Sequence, residues 1–131
     1  MNNTYKLYTD GASKGNPGKA SIGAWICDNQ ETVIKEISKN IGLATNNVAE
    51  YTALIEGLSS ACELNIKNLQ VFMDSELVVR QINGEYKIKN EGLLPLFMKV
   101  KELKSKFDHI TFTHIERAKN KRADQLANLA I

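Results

Sequence analysis

Four carboxylates stand at the start or end of segments with a regular apolar pattern. They are Asp10 in Leu7-Tyr8-Thr9-Asp10-Gly11, Glu50 in Asn46-Asn47-Val48-Ala49-Glu50-Tyr51, Asp74 in Val71-Phe72-Met73-Asp74-Ser75, and Asp124 in Asn120-Lys121-Arg122-Ala123-Asp124. Gathered on one spot, four negative charges repel unless cations sit between them. Hard oxygen donors, with no thiolate and no clustered imidazole, favour Mg²⁺ or Mn²⁺ over zinc. The chemistry implied is that of a divalent-metal enzyme. Taken singly, each acid has a plain structural alternative: Asp10 can start a turn, Asp74 can cap the following helix, and Glu50 and Asp124 can be solvated helix acids. The joint reading is favoured because Asp10 and Asp74 each end an apolar strand. If those strands are neighbours, the two carboxylates lie about 5 Å apart.

The elements that must position these acids follow from hydrophobic periodicity. Tyr5, Leu7 and Thr9 alternate with Lys6 and Tyr8 before a turn cluster from Gly11 to Gly18; Ser21 to Cys27 reads as a second strand and Thr32 to Asn40 as a third. Val48, Tyr51, Ile55, Leu58 and Cys62 then step at helical spacing, with Glu50 at the edge of that stripe. Leu69 to Met73 is a fourth strand, and Ser75 to Ile82 a helix stopped by Asn83-Gly84. After a connection over Gly84 to Pro95, a helix covers Leu96 to Leu103, a fifth strand Ile110 to His114, and a last helix Asn120 to Ala130. An antiparallel meander followed by alternating helix and strand predicts an α/β fold with a mixed sheet and helices on its faces.

Bulk properties bound the rest. A chain of 131 residues with 43% hydrophobic residues suits one domain over 1–131. No apolar run is long enough to span a bilayer, and Met1-Asn2-Asn3-Thr4-Tyr5 lacks the apolar stretch of a secretion signal, so a cytoplasmic protein is expected. Cys27 and Cys62 lack Cys-x-x-Cys spacing and read as small apolar core residues. Net charge is only +2, but residues 84–122 carry ten Lys and Arg against five Asp and Glu. A basic C-terminal portion beside an acidic centre suits a polyanionic substrate, whereas Lys99, Lys101, Lys104 and Lys106 read better as a solvated helix surface. Arg117, Lys119, Lys121 and Arg122 gather at the start of the last helix, where cations oppose the helix dipole, which points weakly to phosphate contact. The glycine-rich turn is not a P-loop: with Gly18-Lys19 aligned to that motif's end, Ser13 falls on its first glycine and Ala20 on its hydroxyl. It reads as a hairpin whose glycines let backbone approach a ligand.

Tyr-Thr-Asp-Gly-Ala-Ser-x-Gly-Asn-Pro-Gly at 8–18, Thr-Asn-Asn-x-Ala-Glu at 45–50, Asp-Ser-Glu-Leu-Val at 74–78, and His114 followed by Asn120-x-x-x-Asp124 resemble the successive signatures of type 1 ribonuclease H, in order and spacing. The resemblance covers essentially the whole chain. It implies a ribonuclease H-like fold, a five-stranded mixed sheet with its first three strands antiparallel and helices on both faces. It also implies endonucleolytic cleavage of the RNA strand of RNA–DNA hybrids, leaving 5′-phosphate and 3′-hydroxyl ends. Asp10, Glu50, Asp74 and Asp124 match the family's metal-binding catalytic acids, and two Mg²⁺ about 3.5–4 Å apart, with Mn²⁺ as the alternative ion, would flank the scissile phosphate.

The resemblance extends to further residues. His114 matches a mobile histidine that aids proton transfer or product release, although its setting Thr-His-Ile-Glu-Arg differs from the glycine-rich loop of the best-known members; a strand-end histidine making structural hydrogen bonds is the alternative. The backbone of Gly11 and the side chains of Asn16, Asn46, Asn47 and Glu50 match groups facing the minor groove, where the 2′-hydroxyl marks RNA. Thr45 matches a DNA-strand phosphate contact, and Asn46 and Asn47 also suit capping of the first helix. Glu76 stands where many relatives carry glutamine; it can accept a 2′-hydroxyl proton but cannot donate to a base edge. Tyr86, Lys87 and Lys89 occupy the region where some relatives insert a long basic protrusion. Without one, and with no separate hybrid-binding domain expected, affinity should be modest and salt-dependent. The partner expected is the hybrid, with no membrane and no obligate protein partner, and the protein a monomer. A catalytically weak nucleic-acid-binding module on the same fold is the alternative.

Overall fold

Leu7, Ile22, Ala24 and Ile26 are fully buried, and their alternation along the chain folds the N-terminal third into an antiparallel meander. The computed structural model describes residues 3–131; Met1 and Asn2, part of the stretch read for a secretion signal, lie outside the described residues. The strands are β1 (Thr4–Gly15), β2 (Gly18–Cys27), β3 (Val33–Ala44), β4 (Asn68–Met73) and β5 (His109–His114). The helices are α1 (Asn46–Glu63), α2 (Glu76–Ile82), α3 (Leu94–Lys104) and α4 (Lys121–Leu129), with a single 3₁₀ turn at Arg117–Lys119 before α4. The sheet order is β3-β2-β1-β4-β5: β1 pairs antiparallel with β2 and parallel with β4, and β5 pairs parallel with β4. Among the described residues, no helix is long and apolar enough to cross a membrane.

Two small-residue positions show that α1 and α4 lie on opposite faces. A side chain on Gly11 would run into the α1 backbone at Ala49 and Glu50. A side chain on Gly23, the cross-strand partner of Asp10, would run into the α4 backbone at Ala123 and Ala127. Gly11 and Asp10 are successive residues of one strand and so point to opposite faces. The main core lies on the α1 side, where Leu7, Ile26, Val71 and Met73 of the sheet meet Tyr51, Leu54 and Leu58 of α1, Val78 of α2 and Val100 of α3.

The structure departs from the sequence reading in ways that bear on the site. Instead of a turn cluster over Gly11 to Gly18, β1 continues to Gly15, pairing residue by residue with β2, and only Asn16 and Pro17 turn. β3 runs past Asn40 to Ala44 because one residue bulges between the Ser21–Asn40 and Ala20–Gly42 pairs, which breaks the alternation there; Gly42, at φ 80°, accommodates the bend. Thr45, rather than Asn46 or Asn47, caps α1, its hydroxyl accepting from Val48 N–H at 3.2 Å. On α1, Leu54, Leu58 and Ala61 are fully buried, while Val48, Ile55 and Cys62 are half-buried. The small residues Ala49, Ala53 and Gly57 pack this helix close to the sheet and rotate the buried stripe toward themselves. α3 starts at Leu94, with Pro95 in the first turn where no N–H is needed.

Candidate metal centre

Parallel pairing of β1 with β4 runs from Thr4–Asn68 to Thr9–Met73, so the next residue on each strand is Asp10 and Asp74. The sequence reading of Asp10 as the end of its strand is corrected here: β4 stops and Asp74 leaves the sheet, while β1 continues along β2 alone. The open ends of parallel strands where connections diverge are recurrent ligand sites. Asp74 does not cap α2; Ser75 does, accepting from Val78 N–H.

The two peptide groups flanking Asp10 hold the two helices that bring the other acids. On one side, Gly11 N–H donates to Glu50 Oε1. On the other, Asn120 Nδ2 donates to the Thr9 carbonyl at 2.9 Å, so the buried residue preceding α4 is tied to β1 one position from Asp10. The last turn of α4 is fixed by Ser21 and Ser38, which donate to Ala127 and Leu126 carbonyls, and by Asn40, which donates to the Ala130 carbonyl at 3.1 Å. Asp124, in the first turn of α4, thereby faces the same cleft as Asp10, Glu50 and Asp74. This cleft, of about 750 Å³, is lined also by Gly11, Lys14, Asn16, Asn46, Arg117 and Asn128.

Asp10 and Glu50 are nearly buried, at 6% and 5% exposure, and ligating oxygens of Asp10, Glu50 and Asp74 lie within 4.8 Å of one another. Burial pushes the Asp10 carboxyl far above the usual carboxylate range, and the charges of Glu50 and Asp74 push it further. Glu50 is also raised by burial, against the opposing hydrogen bond from Gly11 N–H. The hydrogen bond between the two raises Asp10 and lowers Glu50, and the pair holds a proton well above the pH at which a solvated carboxyl would lose it. Arg117, 3.8 Å from Asp124, lowers Glu50 somewhat by its charge, but among the described residues no cation forms an ion pair with Asp10 or Glu50. A hard divalent ion fits this donor set: it would neutralise what burial and mutual repulsion otherwise force to protonate.

A family model described as reverse transcriptase-like matches residues 8–130. Among curated relatives, the bifunctional protein Rv2228c of Mycobacterium tuberculosis is 47% identical over 127 residues, covering 95% of this chain and 35% of the relative. The ribonuclease HI of Halobacterium salinarum is 40% identical, covering 95% of this chain and 62% of the relative. The chain thus spans about a third and under two thirds of these two relatives. The solved structure of LC11-RNase H1, isolated from compost, in complex with RNA/DNA hybrid superposes with a TM-score of 0.92 at 43% identity, covering 97% of this chain and 96% of that one. The chain belongs to the ribonuclease H family.

Within this member of the family, the remaining residues singled out by sequence are scattered. Gly11, Asn16 and Asn46 line the cleft with the acids, and Asn46 N–H donates to Asn16 Oδ1 at 3.1 Å. Asn47 lies in a second, more apolar groove with Leu77, Gln81, Tyr86, Lys87 and Lys89. Glu76 is exposed at the start of α2 and accepts from Arg80 at 3.0 and 3.1 Å. His114 ends β5 opposite Met73, exposed and outside the residues lining the cleft. Arg122 is committed elsewhere, paired with Glu36 and stacked 5.2 Å over Trp25, so it does not join the cationic cluster expected at the start of α4. The sequence reading passed over Gly23 and the tie from Asn120 to Thr9. A glycine inside the apolar run Ser21 to Cys27 was the available signal, since strand glycines mark close backbone approach.

Proposed function

We propose that the protein is a metal-dependent endoribonuclease that hydrolyses the RNA strand of RNA–DNA hybrids to 5′-phosphate and 3′-hydroxyl products. The observation that carries this reading is the convergence of Asp10, Glu50 and Asp74 within 4.8 Å on one cleft, with Asp124 on its wall. Asp10, Glu50, Asp74 and Asp124 would hold two divalent ions, Mg²⁺ or Mn²⁺. When bound, such ions activate the attacking water and stabilise the leaving 3′-oxygen. The chain's own contribution is to hold four acids against their repulsion, through the ties of Gly11 and Asn120. Gly11, Asn16, Asn46 and Asn47 read the minor groove, Thr45 approaches a DNA-strand phosphate, and Glu76 accepts from a 2′-hydroxyl once Arg80 yields. The hybrid complex of LC11-RNase H1 supports the substrate class. His114 is assigned an accessory role in proton transfer or product release. Two free cysteines suit a reducing cytoplasm.

The test is cleavage of an end-labelled hybrid with Mg²⁺, Mn²⁺ or EDTA, beside single-stranded RNA and duplex DNA. Metal-dependent cutting of only the hybrid's RNA strand is expected. Asp10→Asn should abolish cutting while hybrid binding remains measurable. Equal turnover by both proteins would defeat the assignment, and salt-sensitive binding without cutting by the wild type would make the protein a binding module.

A further inference from the structure

The cleft has a second electrostatic feature at the far end of its β1 wall. Lys14 lines the cleft, four residues along β1 from Asp10, and by strand alternation its side chain leaves the same face as that of Asp10. Its cross-strand partner on β2 is Lys19. Both residues are exposed, and among the described residues neither takes part in an ion pair. Like charges directly opposite on neighbouring strands are destabilising. Arg117, the other cation lining the cleft, is already engaged with Asp124.

We propose that Lys14 and Lys19 form a phosphate-binding arm that takes the backbone of the RNA strand beyond the scissile phosphate. This inference rests on the proposed hybrid substrate. Four residues of strand span roughly 13 Å, so the arm meets phosphates of the same strand that lie a few nucleotides from the cut. Its repulsion is relieved only when the anion arrives, and two phosphate contacts supply affinity without reading sequence. The strand that passes over the acids is the RNA, and the arm continues the same wall of the cleft.

The test compares wild type with the Lys14→Ala/Lys19→Ala protein. Binding is measured in the Asp10→Asn background across a salt series. The double substitution is expected to weaken binding several-fold at low salt and to flatten the slope of log affinity against log salt by about two. Cleavage by the double variant with Asp10 intact should persist with raised KM and near-normal kcat. Its thermal midpoint should hold or rise, because opposed charges have been removed. Hybrids carrying one 2′-O-methyl methylphosphonate linkage, with the 2′-O-methyl phosphate as control, locate the contact. Two neighbouring RNA-strand positions should each weaken wild-type binding and leave the double variant indifferent.

An unchanged salt slope, or a lowered thermal midpoint with no change in slope, would overturn the arm, the latter making the lysines structural partners of the C-terminal end of α4. A sensitive position on the DNA strand alone would overturn the strand assignment. If the wild type neither binds nor cuts hybrids, the functional reading fails instead, and the two failures are thereby separated.

Discussion

Asp10 and Glu50 carry a stored electrostatic cost that a bound cation removes. Both folded carboxyls are raised above their unfolded values, Asp10 from 3.8 to about 9 and Glu50 from 4.5 to about 7, in each case first by burial. The folded state therefore binds more protons than the unfolded chain, and the stability this contributes is complete below about pH 4. It is lost as pH rises through about 7 to about 9, where both groups must ionise within the fold. In EDTA, thermal denaturation of the wild type should show a midpoint that falls from pH 5 to pH 9. Asp10→Asn should flatten that fall and stabilise the metal-free protein at neutral pH. A steeper fall in the variant would contradict the reading that burial and mutual repulsion raise this pair. His114 belongs to a different class: it is exposed at a strand end and outside the cleft wall. Its replacement by alanine should slow multiple turnover by about 10²–10⁴-fold at most, the range of a general acid or base, whereas Asp10→Asn is expected to stop cleavage altogether. Single-turnover and steady-state rates measured side by side would distinguish a proton-transfer role from one in product release.

At the scale of elements, the site is set by how closely two helices approach one strand. Gly11 and Gly23 admit the backbones of α1 and α4, and the peptides on either side of Asp10 then hold Glu50 and Asn120. A methyl group at position 23 would meet the backbone of Ala123 and Ala127, which cannot move aside as a flexible side chain can. Gly23→Ala should therefore destabilise the fold by about 1–3 kcal/mol, the usual cost of overpacking. It should also lower kcat by displacing Asp124, with little effect on KM. Chemical denaturation and steady-state kinetics on the one variant check both parts. Stability loss with an unchanged kcat would show that α4 keeps Asp124 in place without this contact. The C-terminal end of α4 is held independently by Ser21, Ser38 and Asn40, so the displacement is expected to be local to the first turns of the helix.

For the whole molecule, the core on the α1 side is apolar and complete without an ion, drawing on the sheet, α1, α2 and α3. The protein should fold in EDTA. If the four acids hold divalent ions as proposed, Mg²⁺ or Mn²⁺ should raise the thermal midpoint in a concentration-dependent way, because a ligand of the folded state alone stabilises it, and Asp10→Asn should lose most of that shift. The sequence by itself determined the kind and order of the elements: apolar alternation at Leu7 and at Ile22, Ala24 and Ile26 reports strands, and helical spacing reports α1. It also singled out the four acids as candidates, because their types and apolar neighbours are local properties. What only the tertiary structure decided was distance and partnership. Asp10 proved to be mid-strand because the end of β4, not of β1, opens the site. Arg122 was drawn away by Glu36 and Trp25, residues far from it in sequence, while Lys14 was left lining the cleft without an ion-pair partner among the described residues. Periodicity depends on neighbours along the chain, whereas repulsion, desolvation and close backbone approach depend on neighbours through space, and those exist only once the sheet has been built.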